Sequence, residues 1–295
     1  MAGADRQPPG FVHLNGELMP AGEAVVPVRD RGFAYGDALI ETMKLSGGRP
    51  VFFAEHHERL RSACSATGIA APPEPRALWH ACVSLAEANR VTAGRLRLQL
   101  TRGVPPVPEG PDPGPRHEPT LLITAEPFAG YPGGLYREGM SLASVQADRG
   151  AWAHLKTSSL MTTIMARREA LLAGADEALF TSAHGGLLEG SYTNIFFIAR
   201  GSCRTAPPGD RILPGVVRGK VMGILAELGL KVEEQALNAD ELDGRMAAFL
   251  TGSLLGICPV KRIDAQELHL DLPLAGRAAS YLEQLERESL SLTYG

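Results

Sequence analysis

The sequence predicts an α/β protein of the α+β kind, built as two units. Three observations carry that expectation. Apolar residues alternate with period two in GRLRLQLTRG, where Leu96, Leu98 and Leu100 face one way and Arg95, Arg97 and Gln99 the other. They recur at helical spacing in AEHHERLRSACSATG and PRALWHACVSLAEANRV. The glycine- and tyrosine-interrupted stretch AGYPGGLYREG, residues 129–139, then divides a unit of residues 11–128 from a larger one of residues 140–295.

Taken in order, residues 1–10 are expected to form a mobile tail. FVHLNGELMP reads as two short strands around Asn15-Gly16, the pair that best suits a two-residue hairpin turn. VPVRDRGFAYGD is turn-rich, and LIETMKLSGGRPVFF reads as a second hairpin about Gly47-Gly48. Two helices follow, the first closed by Gly68. After the GRLRLQLTRG strand comes a proline-rich loop, GVPPVPEGPDPGPRHEP, and TLLITAEPF returns as a strand. Beyond residue 139, strands are expected near 140–146, 176–182 and 194–199, with a helix-like segment over 159–174. A clearer helix runs from Val216 to Leu228 with Gly229 as its stop, FLTGSLLGICPV mixes strand and turn signals, and AGRAASYLEQLERESL closes as an amphipathic helix.

The totals bound the function. The chain has 295 residues, 44% of them hydrophobic, and a net charge of −4, so no basic excess points to nucleic acid or an anionic membrane as partner. No apolar run is long enough to span a bilayer, and MAGADRQPPG lacks the apolar core of a signal peptide; a cytoplasmic protein is expected. Cys64, Cys82, Cys203 and Cys258 have no metal-ligand spacing and fit reduced thiols, with two disulfides left open. No dinucleotide fingerprint, phosphate-binding P-loop, nucleophile elbow or HExxH zinc motif is present.

Four stretches offer chemistry. In AWAHLKTSSLMTT, Lys156 is the only fully charged side chain between Arg149 and Arg167. Poor hydration would favour its free amine, which attacks carbonyls; the plainer alternative is a solvated lysine at a strand end. In RILPGVVRGK, Pro214-Gly215 precedes a helix whose first amides, from Val216 and Val217, together with the helix dipole attract anions, or simply begin a helix. Ser253 in TGSLLG is similar in kind. Glu189, in GGLLEGSYTNIFF, reads as a surface charge at a turn or as a buried partner for a cation; on its own the surface reading is favoured. In HHERL, His56 and Arg59 share a helix face, and Arg59 suits a bidentate phosphate contact or plain solvation.

Each signal is weak alone, but their order is not. DRGFAYGDALIET, HHERL, Arg97 in a strand, Lys156, GADEALFTSAHGGLLEGSYTNIFF, ILPGVVR and TGSLLGICPV, over residues 11–265, together resemble the class IV aminotransferase family. The resemblance implies a two-domain fold-type IV architecture like that of D-amino-acid aminotransferases. Pyridoxal 5'-phosphate would lie between the domains, the 129–139 loop would border the substrate entrance, and the enzyme would be a homodimer acting on a small-molecule amino substrate. It implies that Lys156 carries the cofactor as a Schiff base, that Glu189 holds the pyridine nitrogen protonated, and that Leu213 packs on the ring. Arg59, Ser253 and the amides of Val216 and Val217 would hold the phosphate, while Tyr35, Ile40, Arg97 and Leu254 would meet the substrate.

Within the family three outcomes compete. Branched-chain enzymes carry a tyrosine after the lysine, where this chain has TSSLM. D-amino-acid aminotransferases carry a tyrosine where this chain has Ile40, and a carboxylate clamp that the proline-rich loop does not match. PVRDRGFAYGDALIET, HLKTSSL and TGSLLGICPV resemble aminodeoxychorismate lyases most, with Ser159 and Gly252 as departures. The resemblance therefore implies conversion of 4-amino-4-deoxychorismate to 4-aminobenzoate and pyruvate, a folate-precursor step, with an aminotransferase using an α-keto acid as the alternative and a non-catalytic binding protein of the same fold as a third reading.

Overall fold

The computed structural model describes residues 10–106, 110, 117–147, 149–209, 211–292 and 294; residues 1–9 of the expected tail and residues 107–109 and 111–116 of the proline-rich loop lie outside them. The chain divides into two compact units, the first comprising residues 1–129, 156–159 and 286–295, the second residues 130–155 and 160–285.

The first unit contains strands β1 (Phe11–Leu14) and β2 (Glu17–Pro20), helix α1 (Arg31–Tyr35), strands β3 (Ala38–Ser46) and β4 (Arg49–Pro50), helices α2 (Phe53–Thr67) and α3 (Pro75–Ala88), and strands β5 (Ala93–Thr101) and β6 (Leu121–Pro127). They form one six-stranded sheet in the order β2-β1-β6-β5-β3-β4. Asn15 and Gly16 both have positive φ, as a two-residue hairpin turn between β1 and β2 demands. The leucines of β5 are fully buried, and β3 lies antiparallel beside them, with Leu39 opposite Leu100, Glu41 opposite Leu98 and Met43 opposite Leu96. Paired residues share a sheet face, so a carboxylate, Glu41, stands in the middle of an otherwise apolar row. Helix α2 packs on β3, and α3 packs on β6 and β1.

The turn-rich VPVRDRGFAYGD contains the short helix α1, which sequence periodicity does not reveal because five residues are too few to show one. Its N-cap Asp30 accepts from Gly32 N at 2.8 Å, and the same buried carboxylate accepts from the hydroxyls of Thr101 and Thr120. Asp37, just past the helix, receives Arg31 Nε at 2.9 Å and Arg102 Nε at 2.7 Å. Burial opposes its ionisation, yet the Arg102 and Arg31 bonds and charges hold its pKa below the ordinary value.

The second unit opens with α4 (Gly133–Glu138), so the stretch expected as a plain linker folds into a short helix, started by Pro132 and stopped at Gly139. Then come β7 (Met140–Gln146), α5 (Met161–Leu172), β8 (Glu177–Thr181), β9 (Gly186–Gly190), β10 (Asn194–Ala199), β11 (Ser202–Thr205), α6 (Val216–Glu227), β12 (Lys231–Glu234), β13 (Leu237–Asn238), β14 (Ala247–Gly252), β15 (Gly256–Ile263), β16 (Gln266–Glu267) and α7 (Leu272–Ser291). Their sheet runs β12-β11-β10-β14-β15-β7-β8-β9-β13, with β16 on β15, and a further pairing of β9 with β10 brings the path back on itself. Its core includes Leu142, Leu179, Leu187, Ile195, Leu250 and Val260. Among the described residues no helix is long and apolar enough to cross a membrane. All four cysteines are free, which closes the disulfide alternative.

Candidate active site

In the first unit the lysine stretch is held as an extra strand. Ile40 N donates to Lys156 O at 2.8 Å, Ser158 N donates to Ala38 O at 2.9 Å, and Thr157 stands opposite Leu39 in an antiparallel bridge. The edge of β3 thereby fixes the backbone on both sides of Lys156, whose side chain is half-buried. The hydroxyls of Ser158 and Ser159 both donate to Gly36 O, at 3.1 and 3.2 Å. Ser158 and Ser159 thus tie the lysine loop to the end of α1.

Beneath this edge lies a buried charge cluster. Helix α2 places His56 and Arg59 one turn apart, facing Glu41 of β3. Arg59 Nε donates to Glu41 Oε1 at 2.8 Å and Nη2 to Oε2 at 2.6 Å, while His56 Nδ1 lies 2.7 Å from Oε2. The bidentate fork expected to face a phosphate is therefore bidentate to Glu41, because the inward register of β3 delivers a carboxylate there. Burial would raise the Glu41 pKa, but the charges and bonds of Arg59 and His56 bring it down to about 2. Burial pushes the His56 pKa down against the pull of Glu41, and the charges of Arg59 and Lys156 push it the same way.

Of the residues expected to meet substrate, Ile40 is buried and Arg97 half-buried. Arg97 stands opposite Thr42 and Gln99 opposite Ile40, so Ile40 and Arg97 share the sheet face away from the leucines. Tyr35 is exposed, with the Arg31 guanidinium 5.0 Å from its ring centre.

In the second unit Glu189 is only 2% exposed. This corrects the surface-charge reading of the isolated residue: Glu189 lies within strand β9, Gly186–Gly190, and pairing of that strand with β8, β10 and β13 buries it. Its Oε2 accepts from Leu213 N at 3.0 Å and from Asn194 Nδ2 at 3.1 Å, and Arg149 Nη1 donates to Oε1. Asn194 also donates to Leu213 O at 3.0 Å, so the two polar side chains clamp the backbone just before Pro214-Gly215. A Cβ on Gly215 would overlap Asn194 Oδ1, and that close approach is what seats the start of α6 beside the clamp. Val216 and Val217 open α6, where helix geometry leaves the first amides without intrahelical acceptors and no side chain caps them. Asn194 stands opposite Thr251 of β14, whose buried hydroxyl has no partner among the described residues, and the turn after β14 carries Ser253 and Leu254, both half-buried.

Sequence reasoning missed Glu41, Arg149, Asn194 and Thr251. The spacing of Asn194 five residues after Glu189 was visible, but the strand pairing that makes it useful was not. The first unit by itself offers an amine and a guanidinium; the second by itself offers a buried carboxylate, helix-start amides and, at Thr251, a buried hydroxyl without a partner among the described residues.

The chain is 29% identical to a provisionally named branched-chain-amino-acid aminotransferase of Methanocaldococcus jannaschii over 88% of this chain and 89% of that one. It is also 29% identical to a D-alanine aminotransferase of Bacillus licheniformis over 89% of this chain and 91% of that one. The fold matches the crystal structure of a provisionally named 4-amino-4-deoxychorismate lyase of Legionella pneumophila with a TM-score of 0.81 and 24% identity, over 90% of this chain and 97% of that one. Residues 38–263, well over half of the chain, match the amino-transferase class IV model. The chain therefore belongs to the class IV aminotransferase family, the pyridoxal-phosphate-dependent enzymes of fold type IV.

Proposed function

We propose that Lys156, Glu189, Leu213, Arg59, Val216, Val217 and Ser253 hold pyridoxal 5'-phosphate, and that the enzyme transfers an amino group between a small amino acid and an α-keto acid. The observation that carries the cofactor assignment is Glu189, a carboxylate 2% exposed and oriented by Arg149, Asn194 and Leu213 N. A buried, ionised carboxylate held in one orientation suits holding a proton on a ring nitrogen. Arg59, the Val216 and Val217 amides and the Ser253 hydroxyl bind the phosphate, and Leu213 bears on the ring. When bound, the cofactor supplies an electron sink for the carbon that carries the amino group. The Lys156 amine, fixed through its backbone to β3, removes and returns the proton at that carbon. Arg97 meets a substrate carboxylate, and Tyr35, Ile40 and Leu254 shape the space around the side chain. The partner is a second copy of the chain, a reading supported by the exposed apolar residues Val25, Val26, Val28 and Phe33.

Transamination is the first reading because the curated relatives across most of the chain are aminotransferases. Cleavage of 4-amino-4-deoxychorismate to 4-aminobenzoate and pyruvate is the second, favoured by PVRDRGFAYGDALIET and by TSSLM with its two serines on Gly36. One experiment separates them. The purified holoenzyme is given D- and L-amino acids with pyruvate or 2-oxoglutarate, and in parallel aminodeoxychorismate. New amino acid without aminobenzoate supports transfer; aminobenzoate without transfer overturns it in favour of the lyase.

A further inference from the structure

We propose that Asp37 is a positioning residue for Lys156, holding the Gly36 and Ala38 carbonyls where they fix the lysine loop against the edge of β3. The proposal rests on the reading that Lys156 carries the cofactor.

Every residue in this chain of contacts belongs to the first unit. On one side, the Asp37 carboxylate takes three bonds from two guanidinium groups. Arg31 Nε at 2.9 Å and Arg102 Nε at 2.7 Å donate to Oδ2, and Arg102 Nη2 at 3.1 Å donates to Oδ1. Arg31 opens α1, and Arg102 follows the last residue of β5, so the carboxylate joins a helix to a strand end. The backbone reinforces the joint: Arg102 N donates to Asp37 O at 3.1 Å, and Asp37 N to Arg31 O at 3.3 Å. On the other side, the two neighbours of Asp37 take the lysine loop. Gly36 O accepts from the hydroxyls of Ser158 and Ser159, and Ala38 O accepts from Ser158 N, two residues beyond Lys156.

Gly36 cannot hold its carbonyl in place by itself. Its φ is 68°, and a Cβ there would stand 2.6 Å from Ser159 Oγ, so both the turn out of α1 and the close approach of the loop demand glycine. Glycine also has the freest backbone of any residue, so the direction of its carbonyl depends on what holds its neighbours. Asp37 supplies that hold. Arg31 and Arg102 are both buried, and without the carboxylate two guanidinium groups that converge on one oxygen would be left uncompensated. Their repulsion would displace residues 36–38 and, through them, Ser158 and Lys156. A reacting group that must lie within an ångström or so of its target responds strongly to such a shift.

The test uses the full-length protein and two readouts. Residue-resolved amide exchange follows the loop before cofactor is added. Addition of pyridoxal 5'-phosphate, borohydride reduction at timed intervals and peptide mapping then locate the lysine that carries it and measure its rate of loading. For Asp37→Asn we expect exchange at Ile40 and Ser158 to accelerate by about 10-fold or more, with β6 amides changed by less than about 2-fold, and trapping at Lys156 to slow by about 10-fold. Uniform acceleration through the first unit, or parental exchange at Ile40 and Ser158, overturns the proposal, since a purely structural role would not single out those two amides. Parental trapping at Lys156 in the variant overturns it as well. Trapping of the parent protein at a different lysine overturns the reading of Lys156, and the proposal with it. Should Asp37→Asn not fold, Asp37→Glu, which keeps the charge but lengthens the reach by a methylene, is expected to show the same two local losses; parental values for both would overturn the proposal.

Discussion

At Gly215 one hydrogen atom stands where any other residue would put a carbon into Asn194 Oδ1. Asn194 is bonded to both Glu189 and Leu213 O, so it cannot retreat without releasing one of them. Gly215→Ala should cost about 1–3 kcal/mol in urea unfolding of the apo protein, as overpacking of a tight site does, and should also weaken cofactor binding. An unchanged unfolding midpoint would show that the clamp yields freely. Lys156→Ala should abolish both turnover and the visible absorbance of bound cofactor; retention of that absorbance would sink the assignment of Lys156. Glu41 makes a pH prediction. Its folded pKa, about 2, lies below the ordinary 4.5, so the folded state binds its proton less readily than the unfolded state. The stabilisation is therefore complete above about pH 4.5 and is lost as pH falls towards 2, amounting to roughly 3 kcal/mol for a shift of this size. Urea titrations between these limits should show a shallower acid dependence in Glu41→Gln than in the parent; parallel curves would refute the assignment.

Among the elements, what the sequence conveyed depended on length. The long strand β5 and helices α2, α3 and α6 follow directly from periodicity, and the β1–β2 turn follows from Asn15-Gly16. The short ones did not: α1 reads as a turn, α4 as a linker, and in β9 Glu189 reads as a surface charge at a turn. Two of these carry much of the site's scaffold, since α1 ends at the Gly36 carbonyl that takes Ser158 and Ser159, and β9 carries Glu189. The residues of the candidate site were nevertheless nameable, because their order along the chain is a stronger signal than any local pattern. Their supports were not, because Glu41–Arg59 and Asn194–Leu213 join segments 18 and 19 positions apart through pairings that no window of sequence contains. The added strand at Lys156 is testable at this scale. Ser158→Pro removes the N–H that bonds Ala38 O, a ladder bond with no substitute. Amide exchange at Ile40 should accelerate and activity should fall by about tenfold or more, the loss expected when a reacting group is misplaced by an ångström or so. Protection at Ile40 equal to the parent's would mean that the edge pairing is not what holds Lys156.

For the molecule as a whole, the cysteines give a measure of how the two cores open. Cys64 and Cys82 lie in the first unit, and Cys203 and Cys258 in the second. All four are free and buried, and burial pushes the Cys64 thiol up to about 11 and the other three to about 12. Thiol reagents attack the thiolate, so two barriers act together: little thiolate forms near neutral pH, and no side chain is presented to the reagent. Cys82, Cys203 and Cys258 are fully inaccessible, so modification requires the surrounding core to open. A disulfide reagent mixed with the native protein at pH 8 should therefore release almost no chromophore in the first minutes, and four equivalents after denaturation in guanidinium. Because each unit holds two of the thiols, the slow native-state reaction, resolved by mass spectrometry of the labelled peptides, reports the opening of each core separately. Dithiothreitol should leave the unfolding midpoint where it was, as no disulfide contributes to stability. Rapid native labelling of any one cysteine would place that segment outside the packed core assigned to it here.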